Sequence, residues 1–238
     1  MKTYVDSFLE LIYPEKNICF ICETYDESIG SSYICPSCWK KAKKLLPPLC
    51  SKCSKPIDYV SSINLCPECS AYKRYFELSK SPFSYEGEIK KAIYKYKYYN
   101  KHYYYKFFGN ILCNFMKENN YINFDYIVSV PLHSSKMRIR GYNQSELIAR
   151  HLSKELNIPY FDALKRTRKT IKQSTQSKEE RRKNLENAFS IKNPPTELIH
   201  KTVLLVDDIY TTGSTVNECS KLLINYGIEK VYVITIAR

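Results

Sequence analysis

Asp207 and Asp208 follow a short apolar run, Val203-Leu204-Leu205-Val206, and precede the small turn Thr211-Thr212-Gly213-Ser214-Thr215. Such a pair of acids repels phosphate but accepts hydrogen bonds from vicinal hydroxyls, whereas the turn suits an anion. The apolar run has the continuous, β-branched character of a strand buried on both faces of a parallel sheet. After the turn, Val216, Cys219, Leu222 and Leu223 recur at helical spacing, so Gly213, Ser214 and Thr215 open a helix. Its unpaired N–H groups and positive dipole end favour an anion, and Thr211, Thr212, Ser214 and Thr215 add hydroxyl donors. A ribose 5-phosphate satisfies both halves. The blander alternative is an acid pair capping an ordinary βα unit. A Walker-type loop fits less well, for want of the lysine in G-x-x-x-x-G-K-[ST].

Residues 203–215 resemble the motif with which type I phosphoribosyltransferases bind 5-phosphoribosyl 1-pyrophosphate (PRPP). The resemblance implies ribose hydroxyls on Asp207 and Asp208, the 5-phosphate on Thr211, Thr212, Gly213, Ser214 and Thr215, and Mg2+ accompanying PRPP.

Cysteine supplies a second chemistry. Eight of the ten cysteines form four C-x-x-C pairs, Cys19/Cys22, Cys35/Cys38, Cys50/Cys53 and Cys66/Cys69, and the first two recur 31 residues later as the last two, giving two units C-x2-C-x12-C-x2-C. Two C-x-x-C turns close one tetrahedral thiolate site, so the repeat predicts two structural zinc ions, each closed within its own repeat. Four protein ligands leave no open position for catalysis. A disulfide framework would need an oxidising compartment, and redox or iron–sulfur chemistry is the remaining alternative. Cys113 and Cys219 stand alone on apolar helix faces and read as core.

These sites need a scaffold. At 238 residues the chain has room for one α/β domain and a small appendage. We place an N-terminal helix and double zinc-knuckle module at residues 1–78 and the ligand-binding domain at 79–238. Val5, Phe8, Leu9 and Ile12 share a helical face that Pro14 ends. Helices follow at Ile89, Ala92, Ile93 and Tyr96, at Phe108, Ile111, Leu112 and Phe115, and from Gly141 to Leu156, where Asn143 is a cap with Glu146 three residues on. Strands are expected at 126–130, 188–191, 203–206 and 231–236. This alternation argues an α/β fold with a doubly wound, mostly parallel sheet, whose ligands collect at the strands' carboxyl ends.

Val130-Pro131-Leu132-His133 and Arg140-Gly141-Tyr142-Asn143-Gln144-Ser145-Glu146, with Arg166-x-Arg168-x-Thr170-x-x-Gln173, Arg182, Asn184, Ala188 and Phe189, resemble the signature of the ComF (ComFC) competence-protein family. Together with the acid-turn motif and the cysteine repeat, the resemblance spans almost the whole chain. It implies a type I phosphoribosyltransferase-like domain with a pyrophosphate-facing loop at 132–143, where Lys136, Arg138, Arg140, Asn143 and Gln144 are candidates. Residues 165–182 would form a hood over the site. It also implies natural transformation, with other competence proteins as possible partners. Asn100 departs from the family's glycine, but asparagine tolerates a left-handed backbone.

Seven tyrosines alternate with lysines between Lys90 and Phe108. Stacking rings among cations hold single-stranded nucleic acid, which makes Lys95, Lys97, Tyr98, Tyr99, Lys101, Arg166 and Arg168 candidate DNA contacts. The alternative is two amphipathic helices with packed tyrosines and solvated lysines. A net charge of +13 suits nucleic acid or a phosphorylated ligand, although abundant Lys, Tyr, Ile and Asn with six glycines also reflects an AT-rich coding sequence. No run approaches the roughly 20 apolar residues of a membrane span, and Asp6 and Glu10 interrupt any signal-peptide core. The expected location is cytoplasmic. Three functions follow: a DNA-uptake accessory binding single-stranded DNA and PRPP or a related ribose phosphate; a phosphoribosyltransferase passing the ribosyl 5-phosphate to a nucleobase or other nucleophile; or a docking module built on the knuckles.

Overall fold

A computed structural model describes residues 17–58, 63–121, 123–168, 185, 187–192 and 196–238. The expected helix at residues 5–12, most of the hood, including Thr170, Gln173 and Arg182, and the motif residue Asn184 lie outside them.

Five parallel strands form the main sheet in the order β1 (Ser79–Lys80), β7 (Lys230–Ala237), β6 (Thr202–Ile209), β2 (Tyr126–Ser129) and β3 (Tyr160–Phe161). The apolar runs at 203–206 and 231–236 thus extend into eight-residue central strands. Residues alternate between faces with the period of two that a strand imposes. Leu204, Val206, Ile234 and Ile236 join the core of α3 (Gly87–Tyr98), α4 (Tyr104–Glu118) and α6 (Gln144–Leu156), whereas Val203, Leu205, Val231 and Val233 pack with α7 (Ser214–Tyr226). Both faces are therefore covered, as a doubly wound sheet requires.

The segment expected as a strand at 188–191 does not enter this sheet. Phe189–Ile191 (β5) pairs antiparallel with Leu164–Arg166 (β4) in a separate ribbon. Three residues with only Phe189 buried lack the two apolar faces of a central strand. Likewise, residues 132–143 are not all loop: a helix, α5 (Ser134–Arg140), starts with His133 Nδ1 accepting the Ser135 N–H and ends at left-handed Gly141.

The cysteine repeat folds as two similar knuckles. Short helices α1 (Pro36–Lys41) and α2 (Pro67–Ala71) begin directly after Cys35 and Cys66, each with proline in its first position, where its missing N–H costs nothing. Sulfurs of Cys19, Cys22, Cys35 and Cys38 lie within 4.8 Å of one another, as do those of Cys50, Cys53, Cys66 and Cys69. The first knuckle packs into the α3–α4 core, where Phe20 stacks on Tyr104 at 4.7 Å. The second packs with Phe76 on the α7 side. Cys113 and Cys219 are buried, as core residues should be.

Candidate functional site

The acid pair lies near the carboxyl end of strand β6. Asp207 is buried, and its Oδ1 accepts the Ser145 hydroxyl at 3.0 Å and the Asp208 N–H at 2.9 Å. Burial and then the Asp208 charge push its pKa up to about 7, against the lowering effects of the Asp208 N–H, Lys97 and Ser145. Asp208 Oδ2 pairs with Lys97 Nζ at 2.9 Å, with both side chains mostly buried.

Beyond the acids the backbone turns at Gly213, whose φ of 73° is left-handed, and α7 begins at Ser214. A Cβ on Gly213 would lie 2.1 Å from the Tyr210 hydroxyl, so glycine is required for both conformation and space. Thr212 and Ser214 exchange a hydroxyl contact at 2.8 Å, while Thr211 is exposed and Thr215 half-buried. The thirteen-residue helix then presents the first-turn amides that suit an anion.

The opposite wall comes from the end of β2. Asn143 Nδ2 donates to the Val130 carbonyl at 3.0 Å, and its Oδ1 caps α6 through the Ser145 N–H. Glu146 turns outward to Arg150 rather than completing a capping box. Gln144 Oε1 accepts from Arg140 at 2.8 Å, and its buried Nε2 has no hydrogen-bond partner among the described residues. Asn143 and Gln144 therefore shape the wall, while Lys136, Arg138 and Arg140 carry its charge. Lys136 keeps an exposed surface, yet crowding by protein atoms lowers its pKa, followed by the like charges of Arg166, Arg140 and Lys97, with Asp208 opposing. Arg138 is exposed. Burial lowers the pKa of Arg166, whose guanidinium covers the Phe189 ring at 5.3 Å. Lys97, Lys136, Arg140 and Arg166 thus crowd around two acids, of which buried Asp207 is the harder to ionise.

The Lys–Tyr stretch divides between core and surface. Tyr96 and Tyr104 are buried, whereas Tyr94, Tyr98 and Tyr99 are exposed and touch, with ring centroids 4.8 Å apart for Tyr94/Tyr98 and 5.9 Å for Tyr94/Tyr99. Arg140 lies 5.0 Å above Tyr98, which places this aromatic trio beside the charged wall. Two lysines assigned to DNA are committed elsewhere. Lys95 binds Glu23 and the Ile21 carbonyl of the first knuckle, both at 2.9 Å, and Lys97 belongs to the acid pair. Lys101 covers the Tyr103 ring, and Arg168 is exposed. Asn100 adopts a φ of 53°, the left-handed turn expected of it.

The knuckles also pass a test of fit. At a Zn–S length of about 2.3 Å, tetrahedral geometry separates sulfurs by roughly 3.8 Å. Cys22 and Cys35 are 3.8 Å apart and Cys53 and Cys66 3.7 Å, so the thiols suit zinc as they stand.

Residues 143–238 match the phosphoribosyl transferase domain family and residues 8–70 the double zinc ribbon domain family. Competence protein F of Haemophilus influenzae is 31% identical over 215 residues, covering 88% of this chain and 92% of that protein. The chain belongs to the ComF family. Across this ComF chain's full length, competence protein ComFC of Streptococcus pneumoniae is 29% identical over 242 residues, with 96% of that protein covered. DNA utilization protein YhgH of Escherichia coli K12 is 40% identical over 115 residues, about half of each chain (48% and 49%). Among solved structures, a Staphylococcus aureus hypoxanthine phosphoribosyltransferase aligns with a TM-score of 0.36 and 17% identity, covering 54% of the ComF chain and 61% of its own. By its two family matches, its parallel sheet and its cysteine clusters, the ComF chain combines a phosphoribosyltransferase-like domain with a zinc ribbon module. No helix among the described residues is long and apolar enough to cross a membrane.

Sequence reasoning missed three residues of the site. Ser145 belongs to the 140–146 motif, and its hydroxyl holds Asp207. Tyr210 underlies Gly213. Lys97 was assigned to DNA rather than to Asp208. For Tyr210 and Lys97 the sequence carries no direct signal, because each partner is set by tertiary packing.

Proposed function

We propose that this protein serves DNA uptake in the cytoplasm, binding single-stranded DNA and, at Asp207 and Asp208, PRPP or a related ribose phosphate with Mg2+. The single observation that supports the ligand most is the cation excess at the acid pair. Lys97, Lys136, Arg140 and Arg166 crowd together beside Asp207 and Asp208, so four cations meet two acids. A diphosphate would relieve that mutual repulsion, the α7 amides and Thr212 suit the 5-phosphate, and the acids suit the ribose diol. Mg2+ would neutralise charge on the diphosphate. The Gln144 Nε2, without a hydrogen-bond partner among the described residues, adds a donor at the wall.

The DNA half is supported by the exposed Tyr94, Tyr98 and Tyr99 beside Arg140, and by relatives named for competence and DNA utilization. Exposed rings next to cations fit unpaired bases and their phosphates. Phosphoribosyl transfer is the second reading, favoured by the same cations, which would also stabilise a departing pyrophosphate. Incubation with Mg2+-PRPP and a pool of nucleobases or DNA tests it directly. Binding without pyrophosphate release supports the accessory role, release dependent on Asp207 and Asp208 supports the enzyme, and neither binding nor release refutes both.

A further inference from the structure

The second knuckle and the phosphate turn are built as one unit. Asn217, on the first turn of α7, donates its backbone N–H to the Gly213 carbonyl at 2.9 Å. Its side chain grips the segment that leaves Cys69: Oδ1 accepts the Tyr75 N–H at 2.9 Å and Nδ2 donates to the Lys73 carbonyl at 3.4 Å. Directly below the turn, the buried Tyr210 meets Phe76 edge-on at 6.2 Å, and its hydroxyl fills the space where a Gly213 side chain would be. Arg238 also covers that ring, at 4.8 Å, and donates to the Cys53 carbonyl. The first knuckle makes no such contact with the turn among the described residues; it is instead hydrogen-bonded by Lys95 of α3 and by Tyr104 and Asn110 of α4.

We propose that the second knuckle is the positioning element of the phosphate turn. Metal at Cys50, Cys53, Cys66 and Cys69 fixes the chain from Cys69 to Phe76, and Asn217 and Tyr210 pass that register to Gly213. The idea rests on the reading of residues 211–215 as an anion site only for its consequence in ligand affinity. The mechanical coupling stands apart from it. A five-residue helix and its knuckle bury little apolar surface of their own, so thiolate ligation supplies their order. Without the metal, residues 73–76 lose their anchor. The amides of the turn then sample conformations in which they no longer converge.

Amide hydrogen exchange on the zinc-loaded full chain, read without ligand, measures the coupling, and zinc content is measured on the same samples. Cys69→Ser should lose one zinc equivalent and speed exchange at residues 211–217 about tenfold or more, whereas Cys22→Ser should lose one equivalent and leave those amides at the wild-type rate. Asn217→Ala should keep both zincs and still speed exchange there, which separates coupling from misfolding of a knuckle. Tyr210→Phe, which retains the ring and loses only the hydroxyl, should match wild type, while Tyr210→Ala should not. Wild-type exchange in both Cys69→Ser and Asn217→Ala, or equal acceleration in Cys22→Ser, would overturn the proposal. Titration with Mg2+-PRPP then reads the consequence: Asn217→Ala should bind at least tenfold more weakly. If wild type itself does not bind PRPP while the exchange pattern holds, the ligand reading fails and the coupling stands.

Discussion

Replacing Asp207 with asparagine should change the pH dependence of stability in a defined direction. Asn Oδ1 can still accept the Ser145 hydroxyl and the Asp208 N–H, so the substitution removes charge and keeps the contacts. In the folded protein Asp207 has a pKa of about 7, against an ordinary value of 3.8. Its folded pKa lies above its unfolded one. Between those values the unfolded chain gives up a proton that the folded chain keeps, so stability present at low pH is lost as pH rises toward 7. About three pKa units correspond to an upper limit of about 4 kcal/mol, and the interval from pH 5.5 to 7 to about 2 kcal/mol. Asp207→Asn lacks this loss. Urea unfolding at pH 5.5, 6.25, 7 and 8, with zinc held constant, should show the variant gaining about 2 kcal/mol on wild type between the lowest and highest pH. A difference that is flat with pH would show that Asp207 ionises freely, and the picture of a desolvated acid beneath the ligand would be wrong.

Other expectations follow from the same geometry. Gly213→Ala combines a left-handed φ with a clash against Tyr210 and should cost at least about 1–2 kcal/mol in thermal unfolding; a neutral effect would contradict the described turn. Metal analysis of protein purified without added metal should give close to two zinc equivalents, with Cys19→Ser losing about one, whereas a content near one would contradict two independent sites. Tyr98→Ala with Tyr99→Ala should weaken single-stranded DNA binding without changing the salt slope, because stacking releases no counterions. Arg168→Ala with Lys101→Ala should flatten that slope by up to roughly 1.4, at about 0.7 per phosphate contact. Unchanged affinity in the tyrosine pair would remove the exposed trio from the DNA site.

Much of this architecture is legible from local chemistry. The run 203–208 shows its strand because four consecutive apolar residues can only be buried on both sides, and the acids must then emerge at its end. The cysteine repeat shows two knuckles because ligation geometry depends on short spacings. Asn100 shows its turn through a backbone preference that belongs to the residue itself. What fails is partner choice over long sequence distance. Lys95 and Lys97 sit in one charged stretch, yet α3 aims them at the first knuckle and at Asp208, and nothing within that stretch names either target. Phe189–Ile191 has strand chemistry, but its burial on one side only decides for the ribbon with Leu164–Arg166 over the main sheet. The charged wall was legible as charge, while its support through Asn143, Gln144 and Ser145 depended on the packing of α6 against β2 and β6.

The ligand proposed for Asp207, Asp208 and residues 211–215 is a ribose phosphate bearing a diphosphate. Isothermal titration of zinc-loaded full-length protein with Mg2+-PRPP tests it most directly, alongside the variant carrying both Asp207→Asn and Asp208→Asn. Wild type should bind one equivalent saturably and gain about 2.7 kcal/mol of stability at 100 times the dissociation constant, while the double variant should give no heat and no stabilisation. Equal binding by both proteins, or no binding by wild type, would contradict the account.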